Sequence, residues 1–350
     1  MSLEWLQQPV KSIDQTYVEH ASARQEQLTK PPGSLGRLES LAIRLAGLQG
    51  RESPQMERIN ITVFAADHGI AAQGVSAFPQ SVTLEMIRNF SVGGAAISVI
   101  SNQLGASLNV INLGTVEVGE EIAGVSYFPL GHGTADFSQS PAMTEEQMAK
   151  ALDIGRDVAI DAKNKSIDLF IGGDMGIANT TAATAMGCAL LDLDPDDLTG
   201  PGTGLDEYGI RHKSEVIRAA LVRHGHAQQP LEILRHFGGF EIAALVGAYL
   251  ACGQEGIPVL VDGFITTAAA LLACRLNPDL QEWLLFSHTS AEPGHQLMLR
   301  SLNAEPILHL GMRLGEGSGA GVAVPLLRMA CNLHNQMATF ADAGVAGKCR

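Results

Sequence analysis

The chain has 350 residues, 46% of them hydrophobic and 17% charged, enough for a buried core and unlike a disordered chain. Its formal net charge of -14 argues against bulk nucleic-acid binding, so an anionic ligand would need local help from backbone N–H groups, helix N-termini or a few cations. The five cysteines (Cys188, Cys252, Cys274, Cys331 and Cys349) are odd in number and scattered without a CxxC pair, and read as reduced thiols of a cytoplasmic protein. The first fifteen residues lack a signal-peptide pattern. The longest uncharged stretch, Ser91 to Val116, is broken by Ser, Asn, Gln and Gly and makes a poor membrane span.

Taken in order, residues 1–29 read as helical. Thr29 to Glu39, with two prolines and two glycines, reads as a turn or linker. Leu38, Leu41, Leu45 and Leu48 then carry a helical period. Ile59 to Ala66 is a strand of the fully buried kind, and it ends at Asp67-His68-Gly69. A loop over 74–81 leads to a helix from about Val82, and a second short helix follows over 93–104. Leu108 to Leu113 is the next strand. Thr144 and Gln147 have capping-box spacing for a helix running to about Lys163.

Ile167 to Ile171 is a third strand, running into the loop Gly172 to Thr181 and then an Ala-rich helix. Residues 194–214 read as loop and Val216 to Arg223 as helix. Phe237 to Glu241 opens another helix. Strands over Ile257–Val261 and Trp283–Phe286 end at Asp262-Gly263-Phe264-Ile265-Thr266-Thr267 and at Ser287 to His295. A last strand is expected near Pro306 to Leu310, followed by a Gly-rich loop and a helical segment over 321–345.

Alternating strands and helices argue an α/β protein with a parallel, Rossmann-like sheet flanked by helices. The expected division is a large catalytic α/β domain over 30–320 and a smaller helical domain from residues 1–29 plus about 321–350. Ligands of open α/β sheets sit at the carboxyl ends of the strands. Those ends carry Asp67, His68, Asp174, Asp262, His288, Glu292 and Glu316, so one composite site fed by at least five loops is expected.

Within Leu314 to Ala320, Glu316 is a single carboxylate between glycines. Either it is a solvated loop residue, or the glycines admit a ligand and a desolvated Glu316 acts as a general base. Gly172 to Thr181 fits a phosphate cradle at a helix N-terminus, or a simple cap in which Thr180 or Thr181 starts the next helix. It lacks both the Walker A and the GxGxxG spacing. Gly202-Thr203-Gly204 with Lys213 is a second candidate for holding phosphate, although a lone lysine is commonly on the surface. Phe78, Met86, Met175 and Leu314 flank polar loops and either line a slot for a flat aromatic ligand or pack as core. His68, His288 and His295 show no metal-ligand spacing and read better as histidines hydrogen-bonded to neighbouring carboxylates. No GxSxG elbow is present.

Taken together, nine motifs in order resemble the nicotinate-nucleotide–dimethylbenzimidazole phosphoribosyltransferase family. They are KPPGSLGRLE from Lys30, AADHGI from Ala65, GVSAFPQSVT from Gly74, the Gly172–Thr181 loop, GTGLD from Gly202, HFGGFEIAAL from His236, VDGFITTAAAL from Val261, SHTSAEPGH from Ser287 and LGEGSGA from Leu314. The resemblance implies a cytoplasmic homodimer that uses neither a metal nor another cofactor and binds neither nucleic acid nor membrane. It implies that nicotinate mononucleotide donates its phosphoribosyl group to 5,6-dimethylbenzimidazole, giving α-ribazole 5′-phosphate and nicotinate, in assembly of the cobalamin nucleotide loop.

The resemblance makes Glu316 the catalytic base, with Asp174 assisting. Gly176, Ile177, Asn179, Thr180 and Lys213 would hold the phosphoribosyl group, and Ser76, Phe78, Met86, Met175 and Leu314 would line the aromatic-base pocket. Asp174 departs from the Glu expected in that loop and is one methylene shorter. Two other readings remain at this point: a hydrolase of the same glycosidic bond, and a non-catalytic sensor of a nucleotide or an aromatic base.

Overall fold

The computed structural model describes residues 3–117 and 119–346; Cys349 and the last residues of the expected C-terminal helical unit lie outside these. The helix expected over 1–29 is interrupted. A short 3-10 turn covers Glu4–Gln7, and α1 begins only at Gln15 (Gln15–Gln27). Pro9 biases Gln8 toward extended backbone, and Gln8 indeed has ψ 143°. Asp14 then caps α1 by accepting the Thr16 N–H. After the Pro-Gly turn come α2 (Arg37–Gln49), β1 (Ile59–Ala66), α3 (Ser81–Ser91), α4 (Ala96–Leu104), β2 (Ser107–Gly114) and β3 (Val125–Tyr127). The predicted capping box opens α5 (Glu145–Asn164): Thr144 and Gln147 satisfy each other's backbone N–H.

The next elements include three corrections. The expected loop from Gly172 is strand as far as Met175, because β4 runs Leu169–Met175 with Val63 of β1 opposite Gly173. These glycines serve close packing in the sheet: a Cβ at Gly172 would lie 2.4 Å from Leu245. After α6 (Asn179–Leu191), the stretch read as loop over 194–214 instead holds α7 (Pro195–Leu198) and the start of α8 (Glu207–Arg223). Their starts are capped by Asp194 and Asp206, a signal hidden by the surrounding glycines. Then follow α9 (Pro230–Phe237), α10 (Phe240–Glu255), β5 (Val259–Val261) and α11 (Phe264–Leu276). Phe264 to Thr267, read as loop, is thus the first turn of α11.

A fourth correction concerns the end of the chain. After β6 (Leu284–Phe286) and α12 (His295–Ser301), the expected strand at Pro306–Leu310 is reduced to one parallel bridge between His288 and Leu308. That segment lies at the sheet edge with Leu310 58% exposed, so its apolar run lacks the second covering layer that a buried strand requires. The chain closes with α13 (Ser318–Gln336) and α14 (Phe340–Ala343).

All strand pairs are parallel and the order is β3-β2-β1-β4-β5-β6. This is the doubly wound Rossmann order, whose switch point lies between β1 and β4. Every residue of β1 is buried, as expected of a central parallel strand, the polar Asn60 and Thr62 included. Helix α10 is buried through Gly253 and packs against α5. Glycines allow the close crossing: a Cβ on Gly155 would sit 1.9 Å from the Ala244 carbonyl oxygen, and one on Gly247 would sit 2.1 Å from that of Leu152. Helices α1, α2 and α13 pack together, and Arg24 donates to the carbonyls of His334, Asn335 and Met337.

Candidate active site

A cavity of about 310 Å³ lies beyond the carboxyl ends of β4, β5 and β6. Its walls bring together ten of the residues singled out from the sequence: Phe78, Met86, Asp174, Met175, Gly176, Ile177, Asn179, Thr180, Leu314 and Glu316. Ser76 and Lys213 stand just outside the wall. Ser76 Oγ lies 3.0 Å from Oγ1 of Thr203, a wall residue. Lys213 is fully buried in α8, so it is not a surface lysine, and its Nζ donates to Thr180 Oγ1 at 2.8 Å.

Glu316 is 4% exposed and has φ 66°, between Gly315 at 86° and Gly317 at 88°. A non-glycine residue in the left-handed region costs about 1–3 kcal/mol and persists only where its surroundings enforce it. Several contacts do so here. A Cβ at Gly173 would fall 2.2 Å from the Glu316 carbonyl oxygen, so β4 and this loop touch backbone to backbone. The Gly317 N–H donates to Asp262 Oδ2 at 3.2 Å. Oε2 of Glu316 accepts the Ile97 N–H at 3.3 Å, in the first turn of α4. Burial raises the Glu316 pKa, and the Ile97 N–H opposes the shift.

Asp174, next to last in β4, accepts from Asn179 Nδ2 at 3.0 Å. Its pKa is pushed well above the ordinary carboxylate range, first by burial and then by the nearby charges of Asp262 and Glu241. Asp262, also buried, is raised to about 7, with burial the main cause. The site therefore collects carboxylates whose proton affinity is raised by their shared burial.

The opposite end of the cavity is polar. Burial lowers the Lys213 pKa to about 8, although the neighbouring Glu292 opposes this. Glu292 Oε1 accepts the Gly202 N–H at 3.1 Å, and Arg313 Nη1 donates to the Gly202 carbonyl at 2.9 Å. Ala178 is left-handed at φ 75° and precedes the first turn of α6. The helix N-terminus thus opens on the cavity, with Asn179 and Thr180 of its first turn in the wall. Apolar side chains line the other face.

Of the three histidines weighed as ligands, His295 is fully used. Its Nδ1 accepts the Ser290 N–H at 2.8 Å, and its Nε2 lies 2.9 Å from Thr267 Oγ1. His68 Nε2 lies 2.6 Å from Glu241 Oε1, in a pair with no exposed surface. His288 lies 4.0 Å from Asp262 Oδ1. Among the described residues no group of three or more His, Cys, Asp or Glu side chains is placed to hold a metal ion.

Sequence reasoning missed Val82 and Arg313 as wall residues, and named Phe264, Ile265 and Ser290 only as parts of strand-end motifs. Arg313 carried a usable signal: a cation three positions before a glycine-flanked Glu, in a chain with only 23 Lys and Arg. Val82 and Ile265 are ordinary apolar residues, and only the tertiary fold turns them to the cavity.

A doubly wound α/β sheet that gathers buried carboxylates, a helix start and, behind Thr180, a buried lysine around a strand-end cavity is the arrangement of an enzyme acting on a small molecule. The comparisons with known proteins are specific. A family model described as "Phosphoribosyltransferase" matches residues 10–345, and the chain belongs to that family. Relatives from Pseudomonas fluorescens strain Pf-5 and Pseudomonas putida strain W619 are 59% and 57% identical over 349 residues, covering 99% of both chains. Both are nicotinate-nucleotide–dimethylbenzimidazole phosphoribosyltransferases. Two crystal structures from Thermus thermophilus superpose with TM-scores of 0.91 and 0.90 at 44% and 43% identity. They cover 95% and 96% of this chain and all of their own; one is of CobT, the other of an enzyme of that same name.

Proposed function

We propose that this chain transfers the phosphoribosyl group of nicotinate mononucleotide to 5,6-dimethylbenzimidazole, releasing nicotinate and α-ribazole 5′-phosphate, in assembly of the cobalamin nucleotide loop. The observation that carries the reading is Glu316: a buried carboxylate with raised proton affinity, held in a left-handed backbone at the end of a half-apolar cavity.

The chemistry follows from that geometry. The donor's pyridinium ring already carries positive charge, so it leaves as neutral nicotinate nitrogen without an acid to expel it. A ring nitrogen of the benzimidazole forms the new bond to the anomeric carbon as the old C–N bond breaks, with inversion. The surplus proton on the other ring nitrogen passes to Glu316, whose raised pKa suits a base working near neutrality. Asp174 supports the same end of the site.

Gly176, Ile177, Asn179 and Thr180 hold the phosphoribosyl group at the start of α6. Lys213 acts from behind, through Thr180. Phe78, Met86, Met175 and Leu314 form the slot for the flat base, with Ser76 at its rim. Orienting the two substrates in one cavity supplies the entropic part of the rate enhancement.

The working unit is inferred to be a cytoplasmic homodimer. Val322, Leu326 and Met329 form an exposed apolar stripe on α13, which packs beside α4 and its exposed Val99, and this supports a second copy docking there. The free, buried Cys188, Cys252, Cys274 and Cys331 suit a reducing compartment. The two ends of the chain are taken as one small helical unit, in keeping with the Arg24 bonds to the end of α13 and to Met337 just beyond it.

The test is a product assay with nicotinate mononucleotide, with and without dimethylbenzimidazole, read by liquid chromatography with mass detection. Base-dependent nicotinate release with a new ribazole phosphate peak is expected. Release without added base would replace the transferase by a hydrolase, and binding without any product would leave a sensor.

A further inference from the structure

Asp262 follows β5, is 1% exposed and does not line the cavity. Its carboxylate is aimed at the start of α13. Oδ1 accepts the Ala320 N–H at 2.7 Å and Oδ2 accepts the Gly317 N–H at 3.2 Å, with the Gly319 N–H a further backbone donor. Among the described residues, neither oxygen has a lysine or arginine partner. His288 Nε2 lies 4.0 Å from Oδ1, and burial lowers the His288 pKa.

Burying a carboxylate without a cation is costly, and it is tolerated here because a helix N-terminus offers converging N–H donors and its positive dipole end. The donors that Asp262 takes begin one residue after Glu316. They fall on Gly317, itself left-handed at φ 88°, and on the first turn of the helix that follows it.

We propose that Asp262 is a positioning residue for Glu316: by tying down the Gly317 peptide and the first turn of α13, it holds Glu316 in the strained backbone from which its side chain lines the cavity. The proposal rests on the reading of Glu316 as the base. A carboxylate suits the task because each oxygen only accepts. An Asn at this position would turn an N–H₂ group toward one of the backbone donors and lose that anchor. The anchor binds residues 55 and 58 positions away in the chain, and so couples the end of β5 to the catalytic loop.

The experiment compares wild type, Asp262→Asn, Glu316→Gln and the double variant of the full chain, with nicotinate mononucleotide and dimethylbenzimidazole as substrates. Positioning predicts that Asp262→Asn lowers kcat about tenfold or more while the nucleotide KM stays within about twofold, because the phosphoribosyl end of the cavity is untouched. It further predicts that Asp262→Asn costs less than about twofold in the residual turnover of Glu316→Gln, since the group it positions is already gone. An unchanged kcat, or the same fold-loss in both backgrounds, overturns the proposal.

Asp262→Ser, smaller and uncharged, carries the same comparison if the Asn variant does not fold. Wild-type turnover in Glu316→Gln would sink the base assignment and this proposal together. A slow Glu316→Gln beside a fully active Asp262→Asn would sink the positioning role alone.

Discussion

Replacing Gly173 with alanine adds one methyl group at the point where β4 meets the Glu316 loop. The new Cβ would lie 2.2 Å from the Glu316 carbonyl oxygen and 2.5 Å from its carbonyl carbon. Restoring an ordinary 3.4 Å contact requires one backbone to retreat by about 1.2 Å. Neither side is a flexible side chain. Gly173 is held in the sheet opposite Val63, and Glu316 is held by Asp262 through the Gly317 N–H.

The strand is the stiffer partner, so the Glu316 loop moves. A misplacement near 1 Å costs a catalytic group on the order of a hundredfold in rate. Overpacking of this kind costs about 1–3 kcal/mol in stability, a few degrees in Tm. The expected result for Gly173→Ala is therefore a folded protein with kcat down about a hundredfold and a nucleotide KM changed by less than about threefold. The assay is steady-state formation of ribazole phosphate beside a thermal melt. Wild-type kcat in a folded Gly173→Ala protein would refute the idea that this backbone contact sets the position of Glu316.

Other predictions follow from the same geometry. Glu316→Gln keeps the size of the side chain and removes the base, so kcat should fall about a hundredfold or more at neutral pH, as steady-state kinetics would register. In the wild type the base form is lost as pH falls through the Glu316 pKa. Because burial raises that pKa, the acid limb of the kcat profile should lie above the ordinary Glu range. Glu316→Gly should lose turnover yet raise Tm in a thermal melt, because it relieves the left-handed strain at φ 66°.

Lys213 carries charge below its pKa of about 8 and loses it above, so the nucleotide KM should rise as pH increases through that value. Lys213→Met should raise KM about tenfold or more and flatten that dependence in a KM-against-pH series. Cys188, Cys252, Cys274 and Cys331 are buried, with thiol pKa values pushed up by burial, so mass mapping should find all four unmodified by a thiol reagent until the protein is denatured.

By itself the sequence determined what depends on neighbours along the chain. The β-rich, largely apolar run Ile59–Ala66 suits a strand buried on both faces, and it is β1. Thr144 and Gln147 satisfy each other's N–H groups within three residues, so α5 begins where they stand. The strand-helix alternation placed the polar strand ends on one side, and glycines flanking Glu316 marked it as unusual before any contact was known.

Tertiary structure decided whatever depends on partners distant in the chain. Gly172 and Gly173 read as a loop because glycine usually marks one. They are strand because α10 and the Glu316 loop press on the sheet there and leave no room for a Cβ. The apolar run at Pro306–Leu310 read as a strand, but at the sheet edge it is only partly buried and is held by a single bridge from Leu308 to His288. Whether Lys213 was a surface residue depended on Thr180, more than thirty residues before it.

The strain at Glu316 likewise depends on Asp262, Ile97 and Gly173, three residues on different elements. Burial, orientation and proton affinity are properties of surroundings, and the surroundings of Glu316 come from widely separated parts of the chain.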